Sequence, residues 1–163
     1  MLLRHAKSSW DNVNLDDIDR PLSKRGVYSA NIMQSFIEEN YQHYSLNVYS
    51  SLSQRTKSTC EIVFPKKSKV KYDQQLYTFD FQDLLVWLKK EKKNGPILIV
   101  GHNPALADLI KFLSSKKEEI VFPTCALCEI HLNIDSWDDI KKSCGDIKIL
   151  QNVKKLTNYN LTL

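Results

Sequence analysis

The sequence predicts an α/β protein of three layers, α/β/α, with a mainly parallel sheet between helices on both faces. Three observations carry this. Ile97-Leu98-Ile99-Val100 is an uninterrupted apolar run bounded by turn residues, the pattern of a strand buried on both faces of a parallel sheet. Short aliphatic segments alternate along the chain with segments of helical apolar spacing. Two of the aliphatic segments end in a histidine, as Arg4-His5 and Gly101-His102, at strand carboxyl ends, where α/β sheets place their chemistry. With 163 residues, and no repeat or linker to divide it, the chain is expected to form one domain over 1–163.

In chain order, Leu2-Leu3 deliver Arg4 and His5 from a first strand. That strand is short for the central place the topology expects of it, since only Met1 to Leu3 precede Arg4. A polar loop from Ser9 to Pro21 holds Asp11, Asp16, Asp17, Asp19 and Arg20. Ser23 suits an N-cap, and Val27, Ala30, Met33, Phe36 and Ile37 recur on one face of a helix running to about Glu39. Gly26 in its first turn is a poor helix former, which points to a close backbone contact there.

Leu46 to Tyr49 reads as a strand, Ser50 to Ser53 as the turn after it, and Gln54 to Phe64 as a helix stopped by Pro65. Val70 to Tyr72 is a short strand. Phe81 to Lys93 is a helix with Leu84, Leu85 and Leu88 inward and a basic carboxyl end that complements its dipole. After Ile97–Val100, Asn103 suits a cap and Pro104 a first turn for the helix carrying Leu106, Leu109, Ile110 and Leu113. Ala126 to Ile134 alternates as a strand, with His131 on its more polar face. Asp146 to Val153 supplies the last strand, and the tail Leu156–Leu163 carries no signal. His43, in a polar linker, and His131 are read as structural.

Composition narrows the function classes. Apolar residues at 42% and charged residues at 26% are ordinary for a globular protein, so disorder and fibrous classes are excluded. No apolar run approaches the roughly 20 residues of a spanning helix, and no secretory core is visible, so no membrane partner and a cytoplasmic location are expected. A net charge of +4 is mild, and the lysine clusters Lys66, Lys67, Lys69, Lys71 and Lys89, Lys90, Lys92, Lys93 lack interleaved aromatics, so no nucleic-acid partner is expected. Cys125 and Cys128 have no second pair at zinc-finger spacing, and all four cysteines are read as reduced thiols.

The predicted topology brings three loops to one sheet edge, those of Arg4-His5, Ser51 to Arg55 and Gly101-His102. No carboxylate cluster accompanies the histidines, so neither a metal nor a cofactor is expected. There is also no nucleophile elbow and no glycine-rich phosphate loop. Two histidines among arginines suit a phosphoryl guest. Guanidinium forks from Arg4 and Arg55 can hold equatorial oxygens through paired hydrogen bonds. A neutral histidine can attack phosphorus, and a second one, cationic because it faces a dianion, can donate to the same oxygens.

These motifs, Leu3-Arg4-His5-Ala6-Lys7-Ser8, Arg20-Pro21-Leu22-Ser23-Lys24-Arg25-Gly26, Ser51 to Thr59 with Arg55-Thr56, and Val100-Gly101-His102-Asn103-Pro104, resemble the histidine phosphatase (phosphoglycerate mutase-like) superfamily. Within it they are similar to the SixA-type phosphohistidine phosphatases. The resemblance implies that fold, with His5 as the phosphorylated nucleophile, Arg4 and Arg55 as phosphate ligands and His102 as the second histidine. It also implies that Arg20 binds substrate near the phosphate; the role of Lys7 is open.

Relatives that cleave phosphoesters use an acid to protonate the leaving oxygen. Here the corresponding loop, Leu76 to Phe81, offers only Asp80, a possible acid or equally the N-cap of the helix from Phe81. A missing acid favours a phosphoramidate, whose nitrogen leaves more easily. The expected function is therefore a metal-independent phosphohistidine phosphatase. Its partner is a phosphorylated substrate such as a phosphohistidine-bearing protein, and a monomer or weak dimer is expected. The alternatives are a small-molecule phosphomonoester phosphatase and a non-catalytic phosphate or phosphopeptide binder.

Overall fold

The structure, a computed structural model, describes residues 1–65, 70–91 and 95–159. The regular elements are β1 (Leu2–Arg4), α1 (Lys24–Tyr41), β2 (Asn47–Ser50), α2 (Gln54–Val63), β3 (Lys71–Tyr72), α3 (Phe81–Lys90), β4 (Ile97–Gly101), α4 (Ala105–Leu113), β5 (Leu127–Leu132), β6 (Gly145–Gln151) and α5 (Val153–Tyr159). They form one mixed sheet in the order β3-β2-β4-β1-β5-β6 with helices on both faces, the predicted α/β fold. β3, β2, β4 and β1 run parallel, and β5 and β6 join by antiparallel pairing.

Alternation along the strands builds two cores. Leu2, Tyr49, Ile97 and Ile99 face Leu84, Trp87 and Leu88 of α3 and Leu106, Leu109, Ile110 and Leu113 of α4. Leu3, Val48, Leu98 and Val100 face Ala30, Met33 and Ile37 of α1 and Cys60 and Val63 of α2. β1, only three residues long, lies inside the sheet between β4 and β5. Having neighbours on both edges compensates for its length.

Register positions the chemistry. Leu3 pairs with Val100 and Arg4 with Gly101, while Ser50 of β2 pairs with Val100. The next residues, His5 and His102, therefore leave the sheet at one level, with Ser51 one position behind them on β2. The His5 amide donates to the Gly101 carbonyl at 3.1 Å, and the Ser51 amide to that of Val100 at 3.1 Å.

Several details depart from the sequence reading. Gly26, not Val27, takes the inward position of α1, and Val27 is exposed. The reason is the Lys7 carbonyl, which accepts from the Ser23 amide at 2.9 Å and the Ser23 hydroxyl at 3.1 Å and draws the first turn of α1 against the first loop. Asn103 does not cap α4; its amide donates to the Phe122 carbonyl at 2.8 Å, and Pro104 stands at the cap position. The tail without a signal begins inside α5, whose Val153 and Leu156 pack on the α1/α2 side of the sheet.

Lys71, Lys89 and Lys90 are exposed, whereas Lys66, Lys67, Lys69, Lys92 and Lys93 lie outside the described residues. Cys60, Cys125, Cys128 and Cys144 are buried and unpaired. Among the described residues no helix is long and apolar enough to cross a membrane.

A Cβ at position 26 would lie 2.1 Å from the Lys7 carbonyl oxygen, so the helix and the loop cannot both keep their places. Gly26→Ala is expected to cost about 2–4 kcal/mol of stability, read from urea unfolding against wild type.

Candidate active site

The structure brings Arg4, His5, Arg55 and His102 together. His5 leaves β1 almost fully buried, and its Nδ1 lies 2.7 Å from the carbonyl of Ala6. A carbonyl only accepts, so Nδ1 carries the proton and Nε2 keeps its lone pair. Burial lowers the ring from the ordinary 6.5 to about 4, with the charges of Arg55 and Arg4 adding to the effect and the Ala6 carbonyl and Asp17 opposing it. His5 is thus a neutral imidazole of defined tautomer.

His102 follows β4 at 1% exposure, its ring 5.2 Å from that of His5. Arg55 Nη2 lies 3.2 Å from its Nδ1, and Ser51 Oγ lies 2.7 Å from its Nε2. A guanidinium only donates, so Nδ1 accepts from Arg55 and Nε2–H donates to Ser51. Below this, buried hydroxyls of Ser51, Thr56 and Ser53 form a chain with 2.9 Å links, Ser53 also being the N-cap of α2.

The sequence reading makes His102 cationic when it faces a dianion; the protein's own groups act the other way. Burial, then the charges of His5 and Arg55, lower it to about 2. A dianionic guest supplies the opposite field.

Arg55, in the first turn of α2, is 3% exposed. It donates through Nη1 to the backbone carbonyl of Asp17 and through Nη2 to Asp17 Oδ2 at 2.8 Å. Arg4 donates through Nη1 to the Phe122 carbonyl at 2.9 Å, while its buried Nε has no partner. Burial and the like charge of Arg55 lower the Arg4 guanidinium from its ordinary value. Each of these cationic or protonatable groups disfavours charge on its neighbours, the signature of a pocket suited to an anion.

Arg20 lies at the rim. Its guanidinium stacks 3.5 Å above the Trp10 ring centroid, Nη1 is 3.8 Å from Asp17 Oδ1, and the buried Nε and Nη1 make no hydrogen bond. Asp80 is exposed and accepts from the Gln82 amide at 2.9 Å, so it is the N-cap of α3. This is the structural of the two roles open to it in the sequence.

The carboxylate whose field reaches both imidazoles is instead Asp17, on the short 3-10 turn Asp17–Asp19. Burial alone would raise its carboxyl. Hydrogen bonds from Tyr77, at 2.8 Å, and Arg55, with the charges of Arg55 and Arg20, outweigh that and hold it below the usual carboxylate range.

Sequence reasoning did not single out Asp17, Ser51, Tyr77, Phe79, Thr59 or Phe122. Thr59, one turn after Arg55, accepts from the Ala6 amide at 3.0 Å and donates to the Arg55 carbonyl at 2.7 Å, tying α2 to the end of β1. Its signal was available, as a hydroxyl on the buried face of a helix. Tyr77 and Phe79 pack their rings 5.2 and 5.5 Å from His102. Burial pushes the Cys60, Cys125 and Cys128 thiols up to about 12, so none of these competes as a nucleophile. Among the described residues no group of three or more His, Cys, Asp or Glu is placed to hold a metal ion.

Paired imidazoles among guanidinium groups at the carboxyl edge of an α/β sheet suit an enzyme that handles phosphoryl groups. The family model of the histidine phosphatase superfamily (branch 1) matches residues 1–85, over half of the chain, and the chain belongs to that superfamily. The match includes Arg4, His5, Arg20 and Arg55; His102 lies beyond it.

The protein histidine phosphatase SixA complexed with tungstate superposes with a TM-score of 0.77 at 18% identity, over 95% of this chain and 97% of that one. A mutant phosphoserine phosphatase from Entamoeba histolytica, in complex with phosphoserine, gives 0.66 at 14% identity, over 94% and 96%. Phosphoglycerate mutase from Bacillus anthracis str. Sterne gives 0.65 at 15%, over 98% and 95%. At these identities the likeness concerns the fold. In addition, 30 residues are 63% identical to an uncharacterized chloroplastic protein of Arabidopsis thaliana, covering 18% of this chain and only 14% of that protein.

The two neutral rings set a pH dependence. An unfolded chain binds protons near pH 6.5 that the folded pocket refuses until about 4 at His5 and about 2 at His102. Their contribution to stability is therefore complete above about pH 6.5 and is lost as pH falls. The urea midpoint is expected to drop between pH 6.5 and 4, less steeply in His5→Gln; a flat midpoint across that window would contradict the neutral-ring assignment.

Proposed function

We propose that this phosphatase hydrolyses phosphohistidine through a phosphoryl-enzyme intermediate on His5. The observation that carries the proposal is the tautomer of His5. With Nδ1–H held by Ala6, the Nε2 lone pair is free to attack, beside the guanidinium groups of Arg4 and Arg55. In the first step a bond forms from Nε2 to phosphorus and the phosphorus–nitrogen bond of the substrate breaks, its departing imidazole taking a proton. Water then cleaves the His5 adduct to inorganic phosphate. Arg4, Arg55 and, at the rim, Arg20 hold the equatorial oxygens, and His102, once a dianion faces it, donates to them.

Two features support a phosphoramidate over a phosphoester. Asp80 is engaged as a helix cap, and Asp17, the carboxylate nearest in field to both rings, is held ionised and so is a poor proton donor to an alkoxide. A protein-borne donor is supported by the open aromatic rim, with Trp10 66% and Phe79 47% exposed. The binding of tungstate by the SixA protein of the same fold fits an oxyanion pocket at this edge. The unpaired cysteines suit a reducing compartment, and we place the enzyme in the cytoplasm.

The test is phosphate release from a phosphohistidine protein and from simple phosphoesters. Wild type should prefer the former, His5→Ala should lose roughly a thousandfold or more, and Asp80→Asn, which keeps a capping side chain, should be unchanged. An adduct stable in alkali and lost in acid should form on His5. Faster ester cleavage that depends on Asp80 would replace this reading with a small-molecule phosphatase, and binding without turnover would leave a phosphate-binding module.

A further inference from the structure

A guanidinium at 3% exposure cannot stand without a counter-charge, and the anion beside Arg55 is supplied by this chain itself. The atoms show what that occupancy costs the pocket. Nη2 of Arg55 has two hydrogens; one is directed to Asp17 Oδ2 at 2.8 Å, the other to His102 Nδ1 at 3.2 Å. A guanidinium grips two oxygens either end-on through Nη1 and Nη2 or side-on through Nε and Nη2, and both forks need Nη2. Arg55 can therefore hold a phosphoryl group as a fork only after one of its present partners withdraws.

Once protonated by an arriving dianion, His102 Nδ1 no longer accepts from Nη2, but its ring, 1% exposed and anchored to Ser51 through Nε2, keeps its place against that side of Arg55. Asp17 is well suited to withdraw. Its side chain is 49% exposed, so once displaced it is readily rehydrated.

We propose that Asp17 is an internal anion that occupies the Arg55 fork and is displaced by the incoming phosphoryl group, so that the fork opens only to an oxyanion that binds it better than a carboxylate does. This rests on reading the pocket as a phosphate site. Asp17 is then a competitor built into the site, holding Arg55 extended and charge-balanced between turnovers. Tyr77, which donates to the same Oδ2 at 2.8 Å and packs its ring on His102, helps to retain it.

The test is calorimetric titration of tungstate into wild type, Asp17→Asn and Tyr77→Phe, with a crystal structure of the wild-type tungstate complex. Asp17→Asn should bind tungstate about three- to tenfold tighter. Tyr77→Phe, which keeps the ring but removes one donor to Asp17, should shift in the same direction by less. In the complex, Asp17 Oδ2 should have left Arg55 Nη2. Equal or weaker binding by Asp17→Asn, or a complex in which the contact persists beside bound tungstate, overturns the inference and makes Asp17 a fixed support of Arg55. Failure of all three proteins to bind either tungstate or inorganic phosphate overturns the phosphate-site reading itself.

Discussion

The parallel pairing of β1 with β4 is the constraint on which the site depends. Because Arg4 lies opposite Gly101, the next residue on each strand is a histidine, and the two rings meet at the point where the sheet stops dictating direction. A slip of one residue would send one ring to the opposite face. The register is held from several sides. The His5 amide bonds to Gly101, the Arg4 amide to Ala126, and the Cys125 amide lies within hydrogen-bond distance of both the Arg4 and His5 carbonyls. Cys125 does this with φ near 60°, an unusual conformation for a side chain other than glycine or asparagine, fixed by the strand end it closes. Leu2 and Leu3 add one anchor in each core. A strand of three residues thereby holds a precise position without length of its own.

Once the rings are together, charge governs the rest. Two arginines and two imidazoles in a largely buried pocket repel one another's protons, and the least costly arrangement leaves both rings neutral and places a carboxylate against the most buried guanidinium. Neutrality of His5 is what a nucleophile requires. His102 is held neutral chiefly by burial, and on the proposed reading the field of a phosphoryl dianion would oppose the arginine charges and favour its protonation. In the proposed mechanism the same electrostatics prepares His5 to attack and lets His102 change its protonation as charge arrives.

The sequence made the parts that depend on local pattern legible. The apolar run at Ile97–Val100, the alternation of strand and helix, and the histidines at two strand ends needed no knowledge of distant contacts. What it concealed was supplied by distant backbone or by ambiguous side chains. Phe122 acts through its carbonyl, which receives both Arg4 and Asn103, and no residue type announces that role. Asp17 sits among Asp16 and Asp19 in a loop that reads as a solvated acidic stretch, and only the third dimension separates it from its neighbours. The inward face of α1 is misread at its start because hydropathy favours Val27, whereas the Lys7 carbonyl leaves room only for Gly26. Asp80 shows the reverse case, a carboxylate whose position just before a helix is the better guide to its use.

The first loop joins the two levels of the design. Its stem is closed by the Ser8–Leu22 bridge, the Ser9 amide to the Pro21 carbonyl at 2.8 Å, and the convergence of Ser23 on Lys7, with Gly26 sealing the base. Its far part is exposed from Asp11 to Asn14 and again at Asp16 and Asp17. A loop pinned at the base and solvated at the tip can shift a carboxylate by the length of a hydrogen bond without disturbing β1, on which the placement of His5 depends. Trp10 and Arg20 stack on each other where the stem meets the tip, with Arg20 beside Asp17. In the proposed scheme, fixing His5 through the stem while the exposed Asp17 carboxylate can exchange its partners separates the demand for a rigid nucleophile from the demand for a phosphate fork that must open.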